Sequence, residues 1–257
     1  MKILVLIKQV PDTEAQIKID SSGKAIDESG IKFVLNPYDE FGVEEAVRIK
    51  EKNHDSTVTA ITIGPERSKE AMRSALAMGA DTGIRIWDDS LAGADAGVKA
   101  ALLAAAVKTL KYDIIFCGKQ AIDDDQGAIG GAISRLLSVP FVSNVVKVDI
   151  SGGKCILQRE VEGSSEIVEC AMPCIISAQK GLNEPRYPSL INIMKAKKKE
   201  IKEMTPAGLG VSDLTSKTEL VGMEPPPSRP PGRIIEGEPA QAAVELVRIL
   251  REEIKVF

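Results

Sequence analysis

Short aliphatic runs alternate with stretches of helical period through the first half of the chain. Residues 3–7 form an unbroken aliphatic run, the pattern of a strand covered on both faces in a parallel sheet. Ile17 and Ile19 alternate with polar residues before Ser21-Ser22-Gly23 and predict a small hairpin after that strand. From about Asp39, just past Asn36-Pro37, Val43, Ala46 and Val47 recur at helical spacing. Glu44 and Glu45 come early in this helix and Lys50 and Lys52 late, an order that complements the helix dipole. A second strand over 58–63 ends at Gly64-Pro65. The next helix carries Ala71, Met72, Ala75 and Leu76 on one face and stops at Gly79. A strand over 84–87, an alanine-rich helix over about 94–110, a strand over 113–117 and a helix over about 126–137 follow. Repeated strand–helix units predict right-handed crossovers and a doubly wound, parallel α/β sheet.

After Pro140 the rhythm changes. Residues 142–150, 155–162, 166–170 and 174–178 are strand-like, with Gly-Ser turns between the first three, and together predict an antiparallel extension. From Thr205 onward Pro225-Pro226-Pro227 and Pro230-Pro231 favour an extended, semi-rigid arm. A final helix is predicted from Pro239, with Ala243, Leu246, Val247, Leu250 and Ile254 on one face. That stripe must be covered, either by folding back or by reaching onto another subunit.

Composition narrows the chemistry. The 257 residues are 44% hydrophobic and only 4% aromatic, so the core is aliphatic. A net charge of −4 gives no overall pull toward nucleic acid or anionic lipid. No apolar run approaches the ~20 residues of a membrane helix, so no membrane insertion is expected. The chain runs from Met1-Lys2 straight into its first strand, without the pattern of a secretory leader, and cytoplasmic residence is the expectation. The single histidine, His54, excludes schemes that need two. Cys117, Cys155, Cys170 and Cys174 sit among aliphatic residues, lack the spacing of structural zinc sites and read as small buried hydrophobes.

Ligands of open α/β sheets sit at the carboxyl ends of the strands. Among the segments leaving such ends, Gly118-Lys119-Gln120-Ala121-Ile122-Asp123-Asp124-Asp125 stands out, because it leads into a predicted helix with Gly127, Gly130 and Gly131. Glycines there each cost about 1 kcal/mol against alanine, which fits a helix start that something approaches closely, and exposed N–H groups there favour a phosphate. Against this, three aspartates repel phosphate unless they point elsewhere, and aspartate caps ordinary helices. Neither of the best-known phosphate loops, G-x-G-x-x-G and G-x-x-x-x-G-K-[ST], occurs in the chain. The residues alone leave nucleotide binding and a plain helix cap both open, with a metal site on the aspartates the weakest option. A second unusual stretch runs Gly181-Leu182-Asn183-Glu184-Pro185-Arg186-Tyr187-Pro188-Ser189-Leu190-Ile191-Asn192, followed by Lys195, Lys197, Lys198 and Lys199. Its prolines and apolar residues suit a shaped binding loop.

These residues carry a resemblance. The loop from Gly181, continued by Ile193-Met194-Lys195-Ala196-Lys197-Lys198-Lys199, is similar almost letter for letter to the signature of electron transfer flavoprotein beta subunits. Residues 5–10, Asn36-Pro37-Tyr38 ahead of Val43-Glu44-Glu45-Ala46, residues 75–81, Gly118 to Asp125 and Arg159-Glu160 match as well, so the likeness covers the whole chain. It implies a mostly parallel, Rossmann-like sheet with an antiparallel extension and a C-terminal arm ending in a helix. It also implies a nucleotide-binding domain over 1–204, with a partner-recognition loop at about 181–195, and an arm over 205–257 that packs on an alpha subunit.

Carried onto this sequence, the resemblance implies structural AMP held by Leu6, Asn36, Pro37, Tyr38, Asp39, Ile63, Gly118, Lys119, Gln120, Ala121, Ile122, Asp123, Asp124, Asp125, Gln126, Gly127, Ala128 and Ile129. The redox FAD would be held mainly by the alpha subunit, and no catalytic or metal-binding residue is expected here. Leu190, with Arg186, Tyr187 and Ile191, would dock an acyl-CoA dehydrogenase or related flavin dehydrogenase, and Glu160 would pair with the alpha subunit. A membrane quinone oxidoreductase is the candidate acceptor. The chain would then be an electron-carrier subunit without substrate chemistry of its own. The alternative is an electron-bifurcating oxidoreductase subunit that holds a second FAD in place of AMP and accepts hydride from NADH. Gln126-Gly127-Ala128-Ile129-Gly130 replaces the Cys-Asn-Gln-Thr-Gly of many AMP-type members, whereas Asp124 stands where bifurcating members have glycine. The intact Asp123-Asp124-Asp125 favours AMP.

Overall fold

The structure is a computed structural model and describes residues 1–229 and 231–257. Pro230, part of the expected proline-rich arm, lies outside the described residues.

The chain begins with β1 (Lys2–Leu6), in which Ile3 to Leu6 are all buried. Alternate side chains point to opposite faces, so a strand buried throughout needs helices on both sides. Ile3 and Val5 pack with Val43, Val47 and Leu76, whereas Leu4 and Leu6 pack with Leu103, Val107 and Ile133. The short pair β2 (Gln9–Pro11) and β3 (Phe33–Leu35) brackets the expected hairpin, which is reduced to one antiparallel bridge between Ile19 and Ile26. Then come α1 (Pro37–Lys52), β4 (Thr57–Ile63), α2 (Ser68–Met78), β5 (Thr82–Ile86), α3 (Ala96–Lys108), β6 (Ile114–Gly118) and α4 (Ile129–Leu137). α2 ends at Gly79, whose φ of 139° and contact with Val47 leave no room for a side chain.

The remainder comprises β7 (Phe141–Ser151), β8 (Lys154–Val161), β9 (Ser164–Ala171), β10 (Cys174–Ala178), α5 (Leu190–Ala196), β11 (Ile201–Met204) and α6 (Pro239–Arg248). The sheet runs β11-β5-β4-β1-β6-β10-β7-β8-β9. Pairings from β11 to β7 are parallel, and β8 and β9 extend the sheet antiparallel. This is a doubly wound, mostly parallel, Rossmann-like α/β fold with an antiparallel extension and a C-terminal arm ending in a helix.

Three sequence expectations are corrected. β10 does not belong to the antiparallel extension; it lies parallel between β6 and β7. Its five residues are all buried, and a run without polar alternation requires cover on both faces. α4 starts at Ile129, three residues later than expected, because Asp125 and Gly127 adopt φ values of 49° and 57°, which a right-handed helix cannot continue. The recognition stretch contains a helix, α5, capped by the Ser189 hydroxyl accepting from the Asn192 N–H, and β11 behind it adds an edge strand beside β5. The arm crosses α3, where Asp95 accepts from the Lys217 and Thr218 N–H groups, and α6 leaves Val244 and Val247 exposed.

Candidate functional site

Strand order reverses between β1 and β6, which diverge to β4 on one side and β10 on the other. Loops leaving such neighbours separate and open a crevice. A cleft lies there, with Leu6, Ile63, Leu103, Ile129 and Phe141 as apolar walls and Lys8, Lys99, Lys119, Gln120, Asp124 and Gln126 as polar groups. Of the residues expected at a nucleotide, Leu6, Asn36, Asp39, Ile63, Gly118, Lys119, Gln120, Ala121, Asp124, Gln126, Gly127, Ala128 and Ile129 line it. Pro37, Tyr38, Ile122, Asp123 and Asp125 do not line it, and several of these shape the loop instead.

The loop is fastened from α1. Buried Asn36 donates from Nδ2 to the Gln120 carbonyl (2.9 Å) and accepts at Oδ1 from the Ile122 N–H (3.2 Å). Asp39, also buried, accepts from the Lys8 N–H (2.7 Å) and the Gly118 N–H (2.9 Å), tying the ends of β1 and β6 to the first turn of α1. Burial pushes the Asp39 carboxyl up to about 7 despite these donors. Gly118 is required by this closeness, since a side chain there would collide with Asp39 and Tyr38. Gly130 has a similar role against Phe141 and Cys117, so protein packing rather than ligand approach accounts for that glycine. Burial, reinforced by the Asp39 charge, pushes the Cys117 thiol up to about 12, which leaves it inert as a nucleophile at neutral pH.

The aspartates do not face the cleft as a block of free charge. Lys8 Nζ donates to Asp123 (2.7 Å) and Asp124 (2.9 Å), and Asp125 accepts from Gln120 Nε2 (2.6 Å). Burial pulls the Lys8 ammonium down, but the two carboxylates outweigh it and hold it above its ordinary value. No aspartate caps α4. Its N-cap is Ala128, without a side-chain cap, while Asp124 accepts from the Gln126 N–H upstream (3.2 Å). The first N–H groups of α4 therefore remain open beside the cleft. Lys99 and Lys119 line the same cleft without an ion-pair partner among the described residues. Burial, then the nearby Lys8 charge, pulls the Lys99 ammonium down.

Sequence reasoning missed Lys8, Lys99, Leu103 and Phe141 as lining residues. Lys99 left a signal, because it is the one charge in the otherwise apolar run from Ala96 to Val107. Among the described residues no group of three or more His, Cys, Asp or Glu is placed to hold a metal. Cys155 and Cys174 are free thiols, packed with their sulfurs 3.7 Å apart.

Among the docking candidates Arg186 lies against α1, and Tyr187, Leu190 and Ile191 follow it in the chain. Tyr187 is 99% exposed and Leu190 81%, and Ile191 is exposed beside them. Arg186 points inward: its guanidinium donates to Glu44 (2.8 and 3.0 Å) and also binds Glu51. Glu160 is exposed on β8, 3.4 Å from Gln179 Nε2. No helix among the described residues is long and apolar enough to cross a membrane.

Comparison with known proteins follows the same lines. The family described as "Electron transfer flavoprotein domain" matches residues 24–209. The chain is 39% identical over 260 residues to the electron transfer flavoprotein subunit beta of Bacillus subtilis, covering 100% of each chain. It is 41% identical over 256 residues to that of Thermoanaerobacterium thermosaccharolyticum, covering 97% of this chain and 98% of the relative. The human subunit is 39% identical over 238 residues, covering 92% and 93%.

Proposed function

The chain belongs to the electron transfer flavoprotein family as a beta subunit, and on that premise we propose that its cleft holds AMP while its exposed loop docks an electron-donating flavin dehydrogenase. The observation that carries the nucleotide reading is the placement of Lys99 and Lys119, free of ion pairs among the described residues, beside the uncapped start of α4. Cations and open N–H groups together match a phosphate. Leu6, Ile63, Leu103 and Phe141 supply apolar walls for an adenine ring. Asn36 and Asp39 hold the loop so that its backbone meets the ligand without rearrangement. Because Lys8 pairs with both Asp123 and Asp124, it offsets part of their charge and lessens the repulsion of the phosphate by the acidic run.

FAD, held mainly by an alpha subunit, supplies the redox chemistry when bound. This chain contributes binding surfaces: the cleft for the structural nucleotide, residues 181–195 for the donor, and the arm over 205–257 for alpha. Exposed Val244, Val247, Ile254 and Phe257 give that arm an apolar face to bury, and exposed Glu160 is available to pair with alpha. The donor fits the class of acyl-CoA dehydrogenases, and a membrane quinone oxidoreductase fits as acceptor. A second reading, a bifurcating subunit with FAD in place of AMP, draws on Lys99 and Lys119, which have no ion pair among the described residues, since two cations also suit a pyrophosphate.

Acid extraction of the purified alpha–beta heterodimer, followed by chromatography, tests the reading. About one FAD and one AMP per heterodimer is expected. Two FAD and no AMP would select the second reading, and no adenine nucleotide beyond one FAD would overturn both.

A further inference from the structure

The docking segment is gripped at both ends by contacts with α1 and α2. At its amino end Asn183 Nδ2 donates to the Phe41 carbonyl and to Glu45 (3.0 Å each). Arg186 is bound to Glu44 through Nε, Nη2 and its own backbone N–H, and to Glu51 through both terminal nitrogens. The Glu44 side chain is 3% exposed, and burial alone would raise its pKa; its bonds to Arg186 and Arg48 outweigh that and keep it below the usual carboxylate range. At the carboxyl end Arg73 of α2 donates to the Ala196 and Lys199 carbonyls (2.6 and 2.7 Å), and Lys199 Nζ donates to the Leu76 carbonyl (3.0 Å). Between these grips the chain shows Tyr187, Leu190, Ile191 and Met194 to solvent.

We propose that the Arg186–Glu44 pair is a positioning element that holds the exposed apolar span in its docking-competent shape, so that Arg186 acts by gripping α1 and not by meeting the partner. The inference rests on the docking role assigned to this segment. An exposed apolar segment left to itself samples many shapes and must be ordered when a partner binds, which weakens binding. A two-pronged guanidinium–carboxylate pair fixes both position and direction, and without Arg186 the buried Glu44 keeps only Arg48 as a partner. Glu51 adds a second, exposed carboxylate to the same guanidinium, so the grip has a strong inner half and a weak outer half.

The test uses the heterodimer and an acyl-CoA dehydrogenase as donor, with carrier concentration varied to separate KM from kcat. Leu190→Ala establishes the surface and should raise KM for the carrier. Glu44→Gln should raise KM about tenfold, with kcat and FAD and AMP content unchanged. Glu51→Gln, at an exposed position, should raise it less, about twofold, and still reports if Glu44→Gln fails to fold. Glu44→Gln combined with Leu190→Ala should add little to Leu190→Ala alone, because a misplaced anchor and an absent one cost the same contact. If Leu190→Ala raises KM while neither glutamate variant does, the gripping role is overturned and docking stands. If Leu190→Ala changes nothing, the docking reading falls and takes this inference with it.

Discussion

The nucleotide cleft and the docking segment hang on opposite stretches of one helix, α1, and are built in opposite senses. At the cleft the anchors are buried polar groups, Asn36 and Asp39, which hold backbone N–H and C=O groups, while Lys99 and Lys119 carry no ion pair among the described residues. At the docking segment the anchors are charged, Glu44 and Arg186, and the working groups left free are apolar. In both, the side chains that look most reactive in the sequence are consumed internally. Asp123 and Asp124 are taken by Lys8, and Arg186 is taken by Glu44. In the proposed function the groups left over do the recognising.

The largest expected effect breaks the cleft alone. In Gly118→Ala the new methyl group meets Asp39 and Tyr38, at a junction where β6 and α1 cannot separate without losing the Asp39 bonds. Overpacking of this kind costs about 3 kcal/mol, or a fall in Tm of about 6–12 °C in a chain of this size. AMP content should drop sharply, while the KM for the dehydrogenase, measured below the melting range, should stay within about twofold if the two regions are independent. A large KM change would mean that α1 transmits distortion from one end to the other.

Asp39→Asn is a smaller step at the same end. One carboxylate oxygen becomes an NH2 that faces a backbone N–H, and an unmatched buried donor costs about 1–3 kcal/mol. The variant also tests the carboxyl's titration. With a folded value of about 7 against an ordinary 3.8, the native state keeps a proton that the unfolded chain has released. Stability from this group is therefore greatest below about pH 4, declines as pH rises toward 7, and is level above that. Denaturant unfolding from pH 5 to 8 should show this decline in the parent and a flatter profile in the variant. Equal slopes would place the pH dependence elsewhere.

How much of this was legible in the chain follows the reach of each signal. The aliphatic run at Ile3 to Leu6, the helical spacing in α1 and the Gly79 stop are local patterns, and each produced the element it predicts. The fully buried run of β10 carried its own signal as well, but its place depended on which strands flank it, and chain order pointed to the wrong neighbour. The start of α4 was misplaced because Asp125 and Gly127 adopt positive φ, a conformation that Gly and Asp permit but that their presence alone does not dictate. Anchors themselves were hidden by separation. Lys8 and Asp123 stand 115 positions apart, and Glu44 and Arg186 142 apart. Nothing local marks two such residues as partners, whereas exposure of Tyr187 and Leu190 could be read from the prolines around them.

Lys8→Met gives the smallest change in stability and the most selective one in function. The Lys8 pairs are partly exposed, at 33% for Lys8 and 27–36% for the aspartates, so their loss should cost no more than about 1 kcal/mol. Methionine preserves most of the aliphatic stem and removes the charge. Asp123 and Asp124 are then uncompensated beside the proposed phosphate position, and AMP affinity should fall about tenfold, a loss of about 1.4 kcal/mol. Raising salt from 0.05 to 0.5 M shortens the screening length and should shrink the difference between variant and parent. The KM for the dehydrogenase should not move, since the hydrogen bonds that Lys8 donates go to Asp39, Asp123 and Asp124 and not to the gripped segment. An affinity loss that persists unchanged at high salt would mean that Lys8 acts by shaping the loop, and the cleft would then resemble the docking segment more closely: an anchor whose charge serves geometry before it serves the ligand.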